Sequence, residues 1–118
     1  MIQDYKFALT TDESGDATST VSADAGRIVK VSVDLSACDA TADLTVKSVN
    51  TPSGVDETHL TLTNSQATAH YQLDVASTKA DGTASGEFVA PLHAGDLEVT
   101  VAQGGNAKAS TVVVYVEG

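Results

Sequence analysis

Between residues 29 and 35, Val29, Val31, Val33 and Leu35 alternate with Lys30, Ser32 and Asp34. A period of two puts every apolar side chain on one face of an extended strand. A slip of one residue would turn all of them toward water. The same alternation recurs at Tyr5, Phe7 and Leu9, at Leu44 and Val46, at Leu60 and Leu62, at Tyr71, Leu73 and Val75, and at Leu97, Val99 and Val101. No segment sustains a 3.6-residue period, so helix is limited to a turn or two.

Seven to nine short strands at this spacing each have one face to bury. They predict an all-β, antiparallel β-sandwich, Ig-like or jelly-roll-like. At 118 residues, without a linker, repeat or low-complexity tail, the chain reads as one domain over residues 1–118. Its 42% hydrophobic content supports a packed core rather than disorder. That core should be aliphatic, because the chain has two Phe, three Tyr and no Trp.

Two hairpins are predicted. Asn64-Ser65 between two alternating runs pairs Thr63 with Gln66, Leu62 with Ala67, Leu60 with Ala69 and His59 with His70. Gly104-Gly105-Asn106 marks a second turn, since glycine and asparagine tolerate positive φ. The last strand breaks the pattern, being apolar on both faces from Val112 through Val113, Val114 and Tyr115 to Val116. Either it lies between two layers or another subunit covers its outer face.

Sixteen acids against six bases give a net charge of −10. Such a surface repels phosphate backbones and anionic membranes, which argues against nucleic-acid or membrane binding. The sole cysteine, Cys38, permits no internal disulfide, and its acidic neighbours oppose a reactive thiolate. Asp4 and Lys6 stand where a signal peptide would be apolar, so the chain is expected to stay in the cytoplasm that makes it.

The motifs carry little chemistry. Asp12, Ser14 and Asp16 have the alternate spacing of a calcium loop, but Gly15 comes too early and no glutamate follows in place. A wet turn between two strands explains them better. Asp34, Asp39 and Asp43 make a better candidate for a divalent ion, against the plainer reading that they start turns. His59 and His70, if paired, offer two ligands, too few for a closed zinc site. His93 reads as a loop residue after Pro91, and Phe88 is the one aromatic available for a sugar. No nucleophile elbow, paired catalytic carboxylates or phosphate loop is present, so no enzyme, cofactor or catalytic residue is expected.

Three blocks together resemble short β-rich structural proteins of tailed bacteriophages: FALTTDESGDAT, VDLSACDATADLTV and VAQGGNAKASTVVVYVEG. They cover about 45 of the 118 positions. Ser36-Ala37-Cys38 lengthens the acidic loop relative to that group, and the central third has no matching block. The resemblance implies a virion component: a head decoration or cement protein on the head surface, assembled in the host cytoplasm, with the major capsid protein as partner. A homo-oligomer is expected, and a trimer would match a three-fold lattice position. A tail, neck or fibre module that binds a receptor or glycan is the alternative, as is a bacterial Ig-like adhesion module. Interface expectations fall on Ile2, Tyr5 and Phe7 for anchoring, and on Val112, Val113, Val114, Tyr115 and Val116 for subunit packing.

Overall fold

A computed structural model describes all 118 residues and contains eleven strands. They are β1 (Ile2–Thr10), β2 (Ala17–Ser22), β3 (Gly26–Asp34), β4 (Asp43–Val49), β5 (Glu57–Leu62), β6 (Thr68–Tyr71), β7 (Val75–Thr78), β8 (Ala84–Val89), β9 (Leu92–His93), β10 (Asp96–Ala102) and β11 (Ala109–Glu117). The count exceeds the expected seven to nine because β7, β8 and the two-residue β9 lie in a stretch where alternation is weak. Every pairing is antiparallel.

One sheet has the order β1-β11-β3-β6, with β9 added beside β3, and the other has the order β2-β10-β4-β5. The pairs nest: β1 with β11, β2 with β10, β3 with β6, and β4 with β5. The chain is thus one long hairpin, its tip at residues 50–56, rolled into two facing sheets. That wrapping is the jelly roll, and it decides against the Ig-like option.

The alternation read from the sequence selects the core. Phe7, Val31, Val112 and Val114 from one sheet face Leu44, Val46, Leu97, Val99 and Val101 from the other, all essentially fully buried. Each such side chain contributes about 1.5–3 kcal/mol relative to its exposed state. Leu35, Cys38 and Ala42 close one end of this core.

Both predicted hairpins are corrected. β5 pairs with β4 in one sheet while β6 pairs with β3 in the other, so Asn64-Ser65 is a corner between sheets. Asn64 does take positive φ (50°), but the polar groups around it find partners elsewhere. The Asn64 amide donates to Asp43 Oδ1 (3.0 Å), the Ser65 amide to the Ala42 carbonyl (2.8 Å), and the Leu35 amide to the Ala67 carbonyl (2.8 Å). His59 and His70 therefore lie in different sheets. The Gly-Gly turn also changes sheets, since β10 and β11 belong to opposite layers. Positive φ there falls on Gln103, Gly105 and Ala107 rather than on Asn106.

At this corner the β1–β2 turn meets the β10–β11 turn. The Gly104 amide donates to the Gly15 carbonyl (2.9 Å), the Asp39 amide to the Gly104 carbonyl (2.9 Å), and the Thr11 hydroxyl to the Gly105 carbonyl. Gly15 has φ +82°, and a Cβ there would stand 3.0 Å from the amide nitrogens of both Gly104 and Gly105. Gly54 has a similar φ (+78°) with open space around it. Gly54→Ala should then cost only the left-handed backbone penalty of about 1–2 kcal/mol. Gly15→Ala adds a backbone collision and should cost about 2–4 kcal/mol. Urea unfolding of the two variants checks the order; equal losses would mean that the corner contact is unimportant.

Candidate functional site

The loops at the corner end hold the acids that the sequence offered for metal. Asp12 Oδ1 accepts from the amides of Ser14 (2.8 Å) and Asp16 (3.0 Å), which makes residues 12–16 a self-capped turn. Asp34 Oδ1 accepts from the Ser36 amide (3.0 Å), the Ser36 hydroxyl (2.6 Å) and Thr68 (3.2 Å). The Ser36 hydrogen bonds lower the Asp34 pKa. Asp43 is engaged with Asn64, and the Asp39 carboxylate sits where a Cβ on Gly105 would go. The three aspartates each serve a different loop and do not converge into a metal-binding group. Cys38 is buried with Sγ toward the Ala109 carbonyl (3.9 Å); burial raises its pKa, and the charges of Asp39 and Asp34 add to the rise.

The opposite end holds a buried polar constellation that contains two histidines. Ser48 follows Leu44 and Val46 at the inward parity of β4, so its hydroxyl points into the sandwich and is fully buried. Ser48 Oγ lies 2.6 Å from His59 Nε2 and 2.6 Å from His93 Nδ1. His59 reaches inward because β5 has a bulge opposite Val46 and Lys47, and His59 is its unpaired residue. His93 belongs to β9, which pairs with β3 in the other sheet, at Gly26. The chain His59–Ser48–His93 thus ties the two sheets together through the interior.

A hydroxyl between two rings donates to one, whose accepting nitrogen must be unprotonated, and accepts an N–H from the other. Burial lowers both histidine pKa values. For His59, Glu57 pulls upward and His93 adds to the lowering. For His93, the backbone at Gly95 and Ala23 and the charges of Asp96 and Glu57 pull upward. His93 Nε2 is buried without a hydrogen-bond partner, an uncompensated polar atom that costs stability. The geometry looks like a Ser–His pair, but Ser48 and His93 are both fully buried. The arrangement is a structural tie. A serine at an inward strand position was the signal for it, and the supposed hairpin had sent His59 to His70 instead. His70 Nδ1 in fact meets Ser32 Oγ (2.6 Å) on the outer face.

The residues expected at interfaces divide by parity. Phe7, Val112, Val114 and Val116 point into the core and are closed to other molecules, and Tyr5 packs partly buried against it. Ile2 is exposed, while Val113 and Tyr115 lie half-buried on the outer face of the sheet. No second layer covers β11; instead Lys30 Nζ lies 5.1 Å from the Tyr115 ring centroid.

Beyond the tie, β7 and β8 pair only with each other and form a separate two-stranded arm. Phe88 (69% exposed) and Val75 stand on it, and exposed Val55 and Leu92 line a shallow groove near its base. An isolated hairpin of this size is marginally stable in water.

No protein-family model matches the chain, and no curated protein matches it. Among solved structures it is similar to PirA, with TM-score 0.47 and 11% identity over 96% of this chain and 94% of that one. It is also similar to the Drosophila NLP core (TM-score 0.41, 12% identity, 98% of this chain and 99% of that one). A third likeness is to infectious bursal disease virus Gx strain, with TM-score 0.17 and 12% identity, over 97% of this chain and 36% of that one. These weak likenesses to diverse β-sandwich proteins carry no argument about function.

The lowered histidine pKa values have a pH consequence. The unfolded chain takes up protons near pH 6.5 while the folded one resists them. The stability from the neutral tie is therefore full above about pH 6.5 and is lost as pH falls through the folded values. Urea midpoints from pH 8 to pH 5 should fall, and His59→Gln should flatten that slope. A wild-type profile parallel to that of His59→Gln would refute the role given to the tie.

Proposed function

We propose that this chain is a non-enzymatic decoration, or cement, protein of a tailed-phage head, bound to the major capsid protein on the shell surface. A compact β-sandwich of this kind is compatible with structural and adhesion roles in general. One observation carries the narrower reading. The three blocks that resemble the phage group are far apart in sequence, yet they meet at one corner through Gly15, Asp39 and Gly104. That contact supports reading the three blocks as one folded unit. The jelly-roll wrap, which recurs in viral coat and lectin domains, adds an analogy of fold only.

The physical task of a cement protein is to bind the assembled shell better than its separate parts, which stabilises assembly by mass action. That task needs a contact surface and no active site. The β7–β8 arm fits it. It presents Phe88 as an aromatic anchor and contributes nothing to the core. Adding the arm to a partner would also bury an otherwise marginal hairpin.

Quantitative mass spectrometry of purified particles tests the reading through the copy number relative to the major capsid protein. A ratio between about one-third and one is expected for a shell-coating protein. A handful of copies would move the chain to the neck, tail or fibre, and absence from particles would end the virion reading. Phe88→Ala should weaken attachment to head shells roughly 5- to 30-fold while leaving the circular dichroism unchanged. Undiminished attachment would remove the arm from the contact.

A further inference from the structure

The outer face of the β1-β11-β3-β6 sheet differs in charge from the rest of the molecule. Its register sets Asp4, Tyr115 and Lys30 in one row across three strands. The next row is Lys6, Val113, Ser32 and His70, and the one after it Ala8, Thr111, Asp34 and Thr68. Ile2, Glu117 and Arg27 form a row at the far end. This face therefore carries three acids and three bases. The remaining thirteen acids of the chain are opposed by only three bases. A second copy approaching anywhere else meets like charge, and here it meets a neutral surface with half-buried Val113 and Tyr115 at its centre.

We infer that this face joins two copies of the chain about a two-fold axis that lies in the interface and runs along β11. Such an axis exchanges the β1 side of one copy with the β3 side of the other and keeps each row at its own height. Asp4 of one copy then stands over Lys30 of the other, twice, because both residues are in register with Tyr115. Val113 packs on Val113, Tyr115 on Tyr115, and Lys6 over Ser32. Glu117 meets Glu117 only at the exposed end of the strand. An axis across the strands through Val113 would set Lys30 over Asp34 but bring Lys6 onto Lys6 in the central row. The like-charge contact of the first arrangement falls at the rim and that of the second at the centre, which favours the first; it is self-complementary as a two-fold contact requires.

The size of the face suits a weak, reversible dimer. With the axis along β11, the strands β1, β11 and β3 overlap their counterparts and the short β6 overhangs. Three strands about 30 Å long at about 4.8 Å spacing cover on the order of 430 Å² per copy. Both sides together come to about 900 Å², the size of a transient contact rather than a permanent one. The partner would cover the outer side of the one strand that is apolar on both faces. The assembly is then two-fold, in place of the trimer suggested by lattice symmetry, and it does not depend on the phage reading.

The experiment is sedimentation equilibrium of the purified chain at low and high salt, up to several hundred micromolar. The expected mass is twice the 12.0 kDa of the monomer, with weaker association at high salt. Lys30→Glu should weaken the dimer at least about tenfold and Asp4→Lys should do likewise. The double variant Asp4→Lys/Lys30→Glu should restore it, because both contacts are exchanged together. Circular dichroism confirms that each variant is folded. A wild-type monomer or trimer, or a double variant no better than the singles, would overturn the inference.

Discussion

The hydrogen bond from the Gly104 amide to the Gly15 carbonyl joins two connections that lie 89 residues apart and both change sheets at this point. If β1 crosses to β2 at one height and β11 comes from β10 at another, the nested pairs β1/β11 and β2/β10 cannot both stay in register. Glycine at position 15 lets the two backbones touch, and a side chain would hold them apart. The contact is also strongly non-local. The tip between β4 and β5 closes a short loop and this corner a long one, so the corner carries the greater entropic cost of closure.

Alternation in the sequence identified the strands and, within them, the inward residues, because a face of a strand is a local property. Phe7, Val31, Val46 and Val99 all fall where the pattern puts them, whereas Val29 sits half-buried at a bulge opposite Tyr115 and Val116, and Ile28 takes the inward place. Strand pairing is not local. The period of two is the same whether β5 pairs with β6 or with β4, so Asn64-Ser65 reads equally well as a hairpin or as a sheet-to-sheet corner. Only tertiary facts settle it: Ala42, Asp43 and Leu35 take up the backbone groups that a hairpin would have paired. The arm was obscure for another reason. With Gly82 and Gly86 at positive φ and few large apolar side chains, its strands have no core to alternate against.

The buried tie shows the same limit. Ser48 sits at a position where β4 otherwise places Leu44 and Val46, and a lone serine among inward residues signals a partner without naming it. The partners come from β5, through a bulge, and from β9, which is only two residues long. Neither feature has a sequence period. The tie also makes the two ends of the sandwich unlike. The corner end is closed by backbone hydrogen bonds that are indifferent to pH near neutrality. The end nearest the arm is closed by two neutral imidazoles and a hydroxyl, whose polar demand is left unmet at His93 Nε2.

Charge adds a second asymmetry, across the sheets rather than along them. On the outer face of the β2-β10-β4-β5 sheet, hydroxyls dominate: Thr18 and Thr100 lie 3.2 Å apart, and Thr20 reaches Glu98. That face can satisfy itself with water and its own side chains. On the other sheet, Tyr115 is served by a single cation, Lys30, and Val113 has no polar group to offer. A lysine stem laid over an aromatic ring shields apolar surface at little cost while the chain is alone. The same stem can swing aside to meet a carboxylate when another surface arrives. In a chain of net charge −10, half of the six bases are on this face, so a second copy meets less repulsion here than elsewhere.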